Sequence, residues 1–129
     1  EADPTSDLDG SDAALKLALV VGVLTGRPVD PATVQRLDLR HVDVRTVQAL
    51  AASGTVPRVV AVAERDQPES LRLELRPLTP DDPLAIPWRQ VAYRYELADG
   101  SAQVITGSGI GPAATAAAAL QDVAWLFGS

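Results

Sequence analysis

The stretch Ser70-Leu71-Arg72-Leu73-Glu74-Leu75-Arg76-Pro77 alternates without a fault. Leu71, Leu73 and Leu75 fall on one side of an extended chain and Arg72, Glu74 and Arg76 on the other, which is the period of a half-buried strand. Upstream, Val56 to Glu64 is rich in valine and reads as a buried strand. Arg65-Asp66-Gln67-Pro68 turns one into the other, so the two form a hairpin. Downstream, Thr79 to Pro87 carries three prolines and reads as a loop. Arg89 to Leu97 then alternates again through Val91, Tyr93, Tyr95 and Leu97, and Ala98-Asp99-Gly100-Ser101 reverses it into a strand ending near Thr106. Hairpins of this kind predict an antiparallel or mixed β-sheet of about four strands.

The flanks have the longer period of helices. Ser11 to Thr25 forms one, with Gly26 in the C-terminal capping position. Asp30-Pro31 pairs an N-cap with proline at the first helical position and opens a short helix to about Leu37. Asp43 caps a third, which Gly54 ends, and Pro112 to Phe127 is the last. Strands paired by hairpins, with helices at both ends, predict an α+β fold with the helices packed on one face of the sheet. The 129 residues are enough for one domain, 1–129, with a real core.

Composition narrows the function. The chain is 47% hydrophobic, but an uncharged apolar run such as Leu17–Leu24 is far short of a bilayer span. No positively charged stretch precedes a hydrophobic region, so no secretory signal is expected and the expected location is cytoplasmic. Without cysteine there is no disulfide scaffold, thiolate metal site or thiol nucleophile. A formal net charge of −6 argues against nucleic acid or an anionic membrane surface as partner.

The chemistry concentrates at one end. Glu1, Asp3, Asp7, Asp9 and Asp12 place five carboxylates in twelve residues, and a single lysine, Lys16, follows. Asp12 and Lys16 are four apart and share a helix face, which continues through the apolar Leu19, Val20 and Val23. This pattern predicts an ionic pair capping an otherwise buried helix, a setting in which desolvation and neighbouring charges tune a lysine strongly. The same residues also make an ordinary helix start, with Asp9 as N-cap, Asp12 at the N3 position and an i,i+4 salt bridge. Both readings stand on the residues alone.

Glu1, Asp3, Pro4, Asp7, Leu8, Gly10, Asp12 and Lys16 resemble, position by position, the substrate-binding signature of homoserine dehydrogenases. That signature runs roughly Glu-x-Asp-Pro-x-x-Asp-Leu-x-Gly-x-Asp-x-x-x-Lys. Near the other end, Gly107-Ser108-Gly109-Ile110-Gly111-Pro112-Ala113-Ala114-Thr115-Ala116 resembles the family's closing Gly-x-Gly-Ala-Gly loop and Thr-Ala helix. Asp82-Pro83-Leu84-Ala85 resembles its His-Pro-Leu-Ala stretch. Ile110 stands for the usual alanine and Asp82 where histidine is commoner, and residues 27–80 match only loosely.

The resemblance implies interconversion of L-aspartate 4-semialdehyde and L-homoserine with NAD or NADP. It implies that Glu1, Asp7 and Asp12 hold the substrate, whose ammonium group needs a carboxylate partner. Lys16 would deliver the proton to the developing alkoxide, oriented by Asp12. Gly109 and Gly111 would touch a cofactor held mainly by a different domain. A dinucleotide fold needs its glycine turn inside a parallel βαβ unit, and none fits in this plan. The chain is therefore expected to be an excised catalytic and substrate-binding domain, inactive alone. Family members of this type pair through the corresponding sheet, which implies a two-fold homodimer.

Other residues carry less. His41 is the only histidine and lacks neighbours that would complete a metal site, so no metal is expected. Ser108 has no nearby histidine to activate it as a nucleophile. A different class of function stays open beside the enzyme: a non-catalytic dimerisation or small-ligand-binding module of the same fold.

Overall fold

The computed structural model describes residues 4–64, 67–87, 90–107 and 111–128. The chain divides into two compact units, Glu1–Pro80 and Asp81–Ser129. In chain order the first unit holds α1 (Thr5–Leu8), α2 (Ser11–Thr25), two 3₁₀ turns (Pro31–Thr33 and Leu39–His41), α3 (Val44–Ala52), β1 (Val56–Glu64) and β2 (Gln67–Leu78). The second holds β3 (Val91–Glu96), β4 (Ala102–Gly107) and α4 (Pro112–Phe127). The fold is α+β. The four strands pair antiparallel as two separate two-stranded sheets, β1-β2 and β3-β4.

The alternation of β2 does what its pattern requires. Val59 pairs with Leu75, Ala61 with Leu73 and Val62 with Arg72. Leu71 and Leu73 are buried and join Ala14 of α2 and Val34 in the core, with Ala13, Leu17, Val21, Val29 and Leu37 packed around it. The polar face of β2 is knitted by charge: the Arg72 guanidinium lies 3.1 Å from Glu74 and 3.6 Å from Glu64, and Arg76 pairs with Glu74.

Two local expectations change in three dimensions. The segment after Asp30 makes only one 3₁₀ turn, Pro31–Thr33, instead of a helix to Leu37. Gln35 is drawn out as an extra rung beside β2: its N–H donates to the Leu71 carbonyl and its carbonyl accepts from the Leu73 N–H, both at 2.8 Å. A tertiary pairing with a buried strand outweighs a marginal short helix. Asp9 is not the N-cap of α2. Gly10 holds that position at φ 75°, and the Asp9 carboxylate accepts from the Ser11 N–H at 2.8 Å, while an additional turn, α1, precedes it.

The outward face of α2 is also corrected. Ala14 and Ala18 are buried, but Leu19 is 61% and Val23 83% exposed. The helix packs through Ala14, with Leu17 and Val21 beside it, so that Leu19 and Val23 of the face that continues from Asp12 and Lys16 are turned to solvent while Val20 is half-buried. In the second unit, Val91 pairs with Gly107 and Glu96 with Ala102. Asp99 closes the intervening turn by accepting from the Ser101 N–H at 2.9 Å and the Ser101 hydroxyl at 2.6 Å. Tyr93 and Tyr95 stack with ring centroids 6.5 Å apart. The helix α4 leaves Leu120, Trp125 and Phe127 exposed. Among the described residues no helix is long and apolar enough to cross a membrane.

Candidate active site

The site begins with two helices that meet at a tight corner. Asp7 lies in the single turn of α1, whose Leu8 and Asp9 N–H groups donate to the Pro4 and Thr5 carbonyls at 3.0 and 2.9 Å. Asp12 lies in the first turn of α2, where a carboxylate is favoured by the exposed N–H groups and the helix dipole. Asp7, Gly10 and Asp12 of this corner all line one shallow pocket of about 180 Å³. Its opposite wall is apolar: Leu37 and Leu39 come from the segment before α3, Val59 from β1 and Leu73 from β2.

Lys16 is one turn beyond Asp12, and its Nζ lies 2.6 Å from the Asp12 Oδ2. The Lys16 side chain is 67% exposed, so it is not the half-buried lysine that the apolar helix face suggested. Its hold on Asp12 is direct, which leaves the carboxylate fixed at the pocket edge and the ammonium accessible. Glu1 and Gly109 fall outside the described residues. Gly111 is the residue before α4, at φ 114°, and among the described residues nothing lies within 4 Å of where a Cβ would stand. Its carbonyl accepts from the Thr115 N–H at 3.1 Å and Thr115 Oγ1 at 3.2 Å. A glycine in this conformation with open space around it lets a ligand approach the backbone closely.

A charged pair lies between and beside two of the wall residues in sequence. The Asp38 carboxylate accepts from Arg40 Nε at 2.9 Å, Arg40 Nη2 at 2.6 Å and the Arg40 backbone N–H at 2.9 Å. The Arg40 guanidinium thereby holds Asp38 well below the usual carboxylate range, at about 2. Hydrogen bonding from Ser11 lowers Asp9, assisted by the charges of Arg36 and Arg40. Asp38 separates Leu37 from Leu39, so this pairing steadies two residues of the apolar wall. Sequence reading passed over Asp38 and Arg40, and their only signal is a carboxylate two residues before an arginine, a common Asx-turn spacing. The wall residues Leu37, Leu39 and Val59 were missed because nothing local distinguishes them from core. His41 lies 3.6 Å from Asp38 with its side chain 83% exposed. Among the described residues no three His, Cys, Asp or Glu side chains gather to hold a metal ion.

The family model for homoserine dehydrogenase matches residues 1–124. The chain belongs to the homoserine dehydrogenase family. A homoserine dehydrogenase from Synechocystis sp. is 32% identical over a 136-residue alignment that takes in 99% of this chain and 31% of that protein. A putative homoserine dehydrogenase from Archaeoglobus fulgidus superposes with a TM-score of 0.82 at 28% identity, over 98% of this chain and 38% of that one. The S. aureus homoserine dehydrogenase shares the fold, with a TM-score of 0.74 at 22% identity, over 98% of this chain and 34% of that one. The chain thus spans about a third of the length of the relatives it matches.

Proposed function

We propose that residues 1–129 are the substrate-binding and catalytic domain of a homoserine dehydrogenase, interconverting L-aspartate 4-semialdehyde and L-homoserine with NAD or NADP. The observation that carries this reading is the meeting of Asp7 and Asp12 at one pocket while Lys16 is hydrogen-bonded to Asp12. A small amino acid presents an ammonium group to carboxylates and a short aliphatic chain to an apolar wall, and this pocket offers both.

In this reading Asp7, with Glu1, holds the substrate ammonium. Asp12 fixes Lys16 and reaches the reacting end of the substrate. Lys16 donates a proton to the carbonyl oxygen as negative charge develops there, and in the reverse direction accepts the hydroxyl proton. A bound nicotinamide supplies or takes up the hydride. Gly111 fits one edge of such a cofactor, because no described residue crowds its backbone, and the family resemblance gives Gly109 the same role. The described strands pair only as antiparallel hairpins, so the cofactor is held chiefly by a separate nucleotide-binding domain.

Steady-state assay of the chain alone, and of the enzyme that joins it to a nucleotide-binding domain, tests the proposal. Homoserine oxidation, followed as reduced nicotinamide absorbance, is expected only from the joined enzyme. Absence of turnover there with both NAD and NADP would favour the non-catalytic binding module, and turnover near 1 per second by the chain alone, on the order of an ordinary enzyme rate, would refute the division of labour.

A further inference from the structure

Asp7 and Asp12 reach their pocket from two different helices, and only Asp9 and Gly10 lie between those helices. This corner is fixed from both sides. Gly10 sits at φ 75° and ψ 8°, a left-handed conformation that residues with a Cβ disfavour. A Cβ there would also come within 2.9 Å of the Leu37 carbonyl oxygen and 2.9 Å of Leu73 Cδ1. Neither neighbour yields easily. Leu73 is 5% exposed in the core, and Leu37 lies two residues after Gln35, whose backbone is pinned to Leu71 and Leu73. On the solvent side, Asp9 Oδ1 accepts from the Ser11 N–H at 2.8 Å, and the Asp9 N–H donates to the Thr5 carbonyl at 2.9 Å.

We infer that the Asp9–Gly10 corner is a positioning device for the substrate site: it seats α1 against the Leu37 and Leu73 wall so that the Asp7 carboxylate faces the pocket that Asp12 lines. The inference rests on the function proposed above and adds Asp9 and Gly10 as positioning residues that act through Asp7. The Asp12–Lys16 pair lies wholly within α2, one turn apart, and does not depend on the corner. Loosening the corner therefore weakens the hold on the substrate ammonium and spares proton delivery.

Kinetics of the enzyme joined to its nucleotide-binding domain test this with Asp9→Ala, Gly10→Ala, Asp7→Asn and each corner variant combined with Asp7→Asn. Gly10→Ala is expected to raise the homoserine KM by about tenfold or more, since misplacement by about 1 Å can cost on the order of a hundredfold. Asp9→Ala should raise it by about threefold, with kcat and the nicotinamide KM within about twofold of wild type in both variants. In the Asp7→Asn background neither corner substitution should raise KM much further, because residues acting through one group are non-additive. Asp9→Ala changes an exposed turn and keeps the test available where Gly10→Ala fails to fold, and thermal melting verifies folding of each variant. Fully multiplicative effects with Asp7→Asn, a loss confined to kcat, or an unchanged KM in Asp9→Ala would each overturn the inference while leaving the function intact. An unchanged KM in Asp7→Asn by itself would instead remove the substrate role of Asp7, and this inference with it.

Discussion

Lys16 separates a catalytic from a structural reading at the scale of one residue. Its bond to Asp12 is an exposed i,i+4 pair, and such pairs contribute only about 0.3–0.5 kcal/mol to stability. Lys16→Ala should therefore leave the melting temperature almost unchanged. As a proton donor, the same side chain contributes typically ~10²–10⁴-fold to rate. In the joined enzyme, Lys16→Ala is expected to lower kcat by about a hundredfold or more. Normal turnover in a folded variant would take Lys16 out of the mechanism.

Asp38 makes a second residue-scale prediction, this one about pH. Bonding from Arg40 depresses its folded value to about 2 from an ordinary 3.8. A depressed carboxylate stabilises the fold fully above its unfolded value and loses that contribution as pH falls through the folded one. Asp38→Asn should melt lower than wild type near neutral pH, and the gap should close as pH falls from about 5 to about 2. A gap independent of pH in thermal melts would show that the charge on Asp38 is not what holds the Leu37–Leu39 segment.

At the scale of elements, β2 ties the core to the site. Leu73 is both a core residue and part of the pocket wall. Leu73→Ala should destabilise the chain by about 2–5 kcal/mol in chemical denaturation, as truncation of a buried leucine does. It should also enlarge the pocket and relieve one side of the Gly10 contact. Leu15→Ala on the exposed face of α2 provides the comparison, with a change within about 0.5 kcal/mol. Equal losses for the two would mean that the α2 face is covered in solution.

At the scale of the whole molecule, the exposed apolar residues of α2 and of α4 are more than a small monomer ordinarily leaves bare. We propose that a nucleotide-binding domain and a two-fold homodimer, the pairing that the family resemblance implies, cover them. Light scattering at high micromolar concentration should give twice the chain mass, and a strictly monomeric mass would count against the dimer. A structure of the joined enzyme with substrate and cofactor should place Lys16 and Gly111 in one cleft, because proton donor and hydride donor must meet at a single carbonyl. Their appearance on opposite faces would end the shared-site proposal.

The sequence by itself determined the elements whose signals are local. Ser11–Thr25, Val56–Glu64 and Pro112–Phe127 fall where periodicity and end signals place them, and Asp43 caps α3 through the Arg45 N–H as its spacing predicts. The eight matched positions from Glu1 to Lys16 likewise pointed to the family that the comparison over residues 1–124 bears out. Tertiary structure alone decided the rest. The cap falls on Gly10 and not on Asp9, at a corner where Leu37 and Leu73, far along the chain, leave no room for a side chain. Gln35 left its expected helix because β2 offered two backbone hydrogen bonds. Leu19 and Val23 of α2 stayed exposed because the helix turns Ala14, with Leu17 and Val21 beside it, to the core. In each case the deciding contact joins residues distant in sequence, whose proximity exists only once the chain has folded and outweighs the local preference.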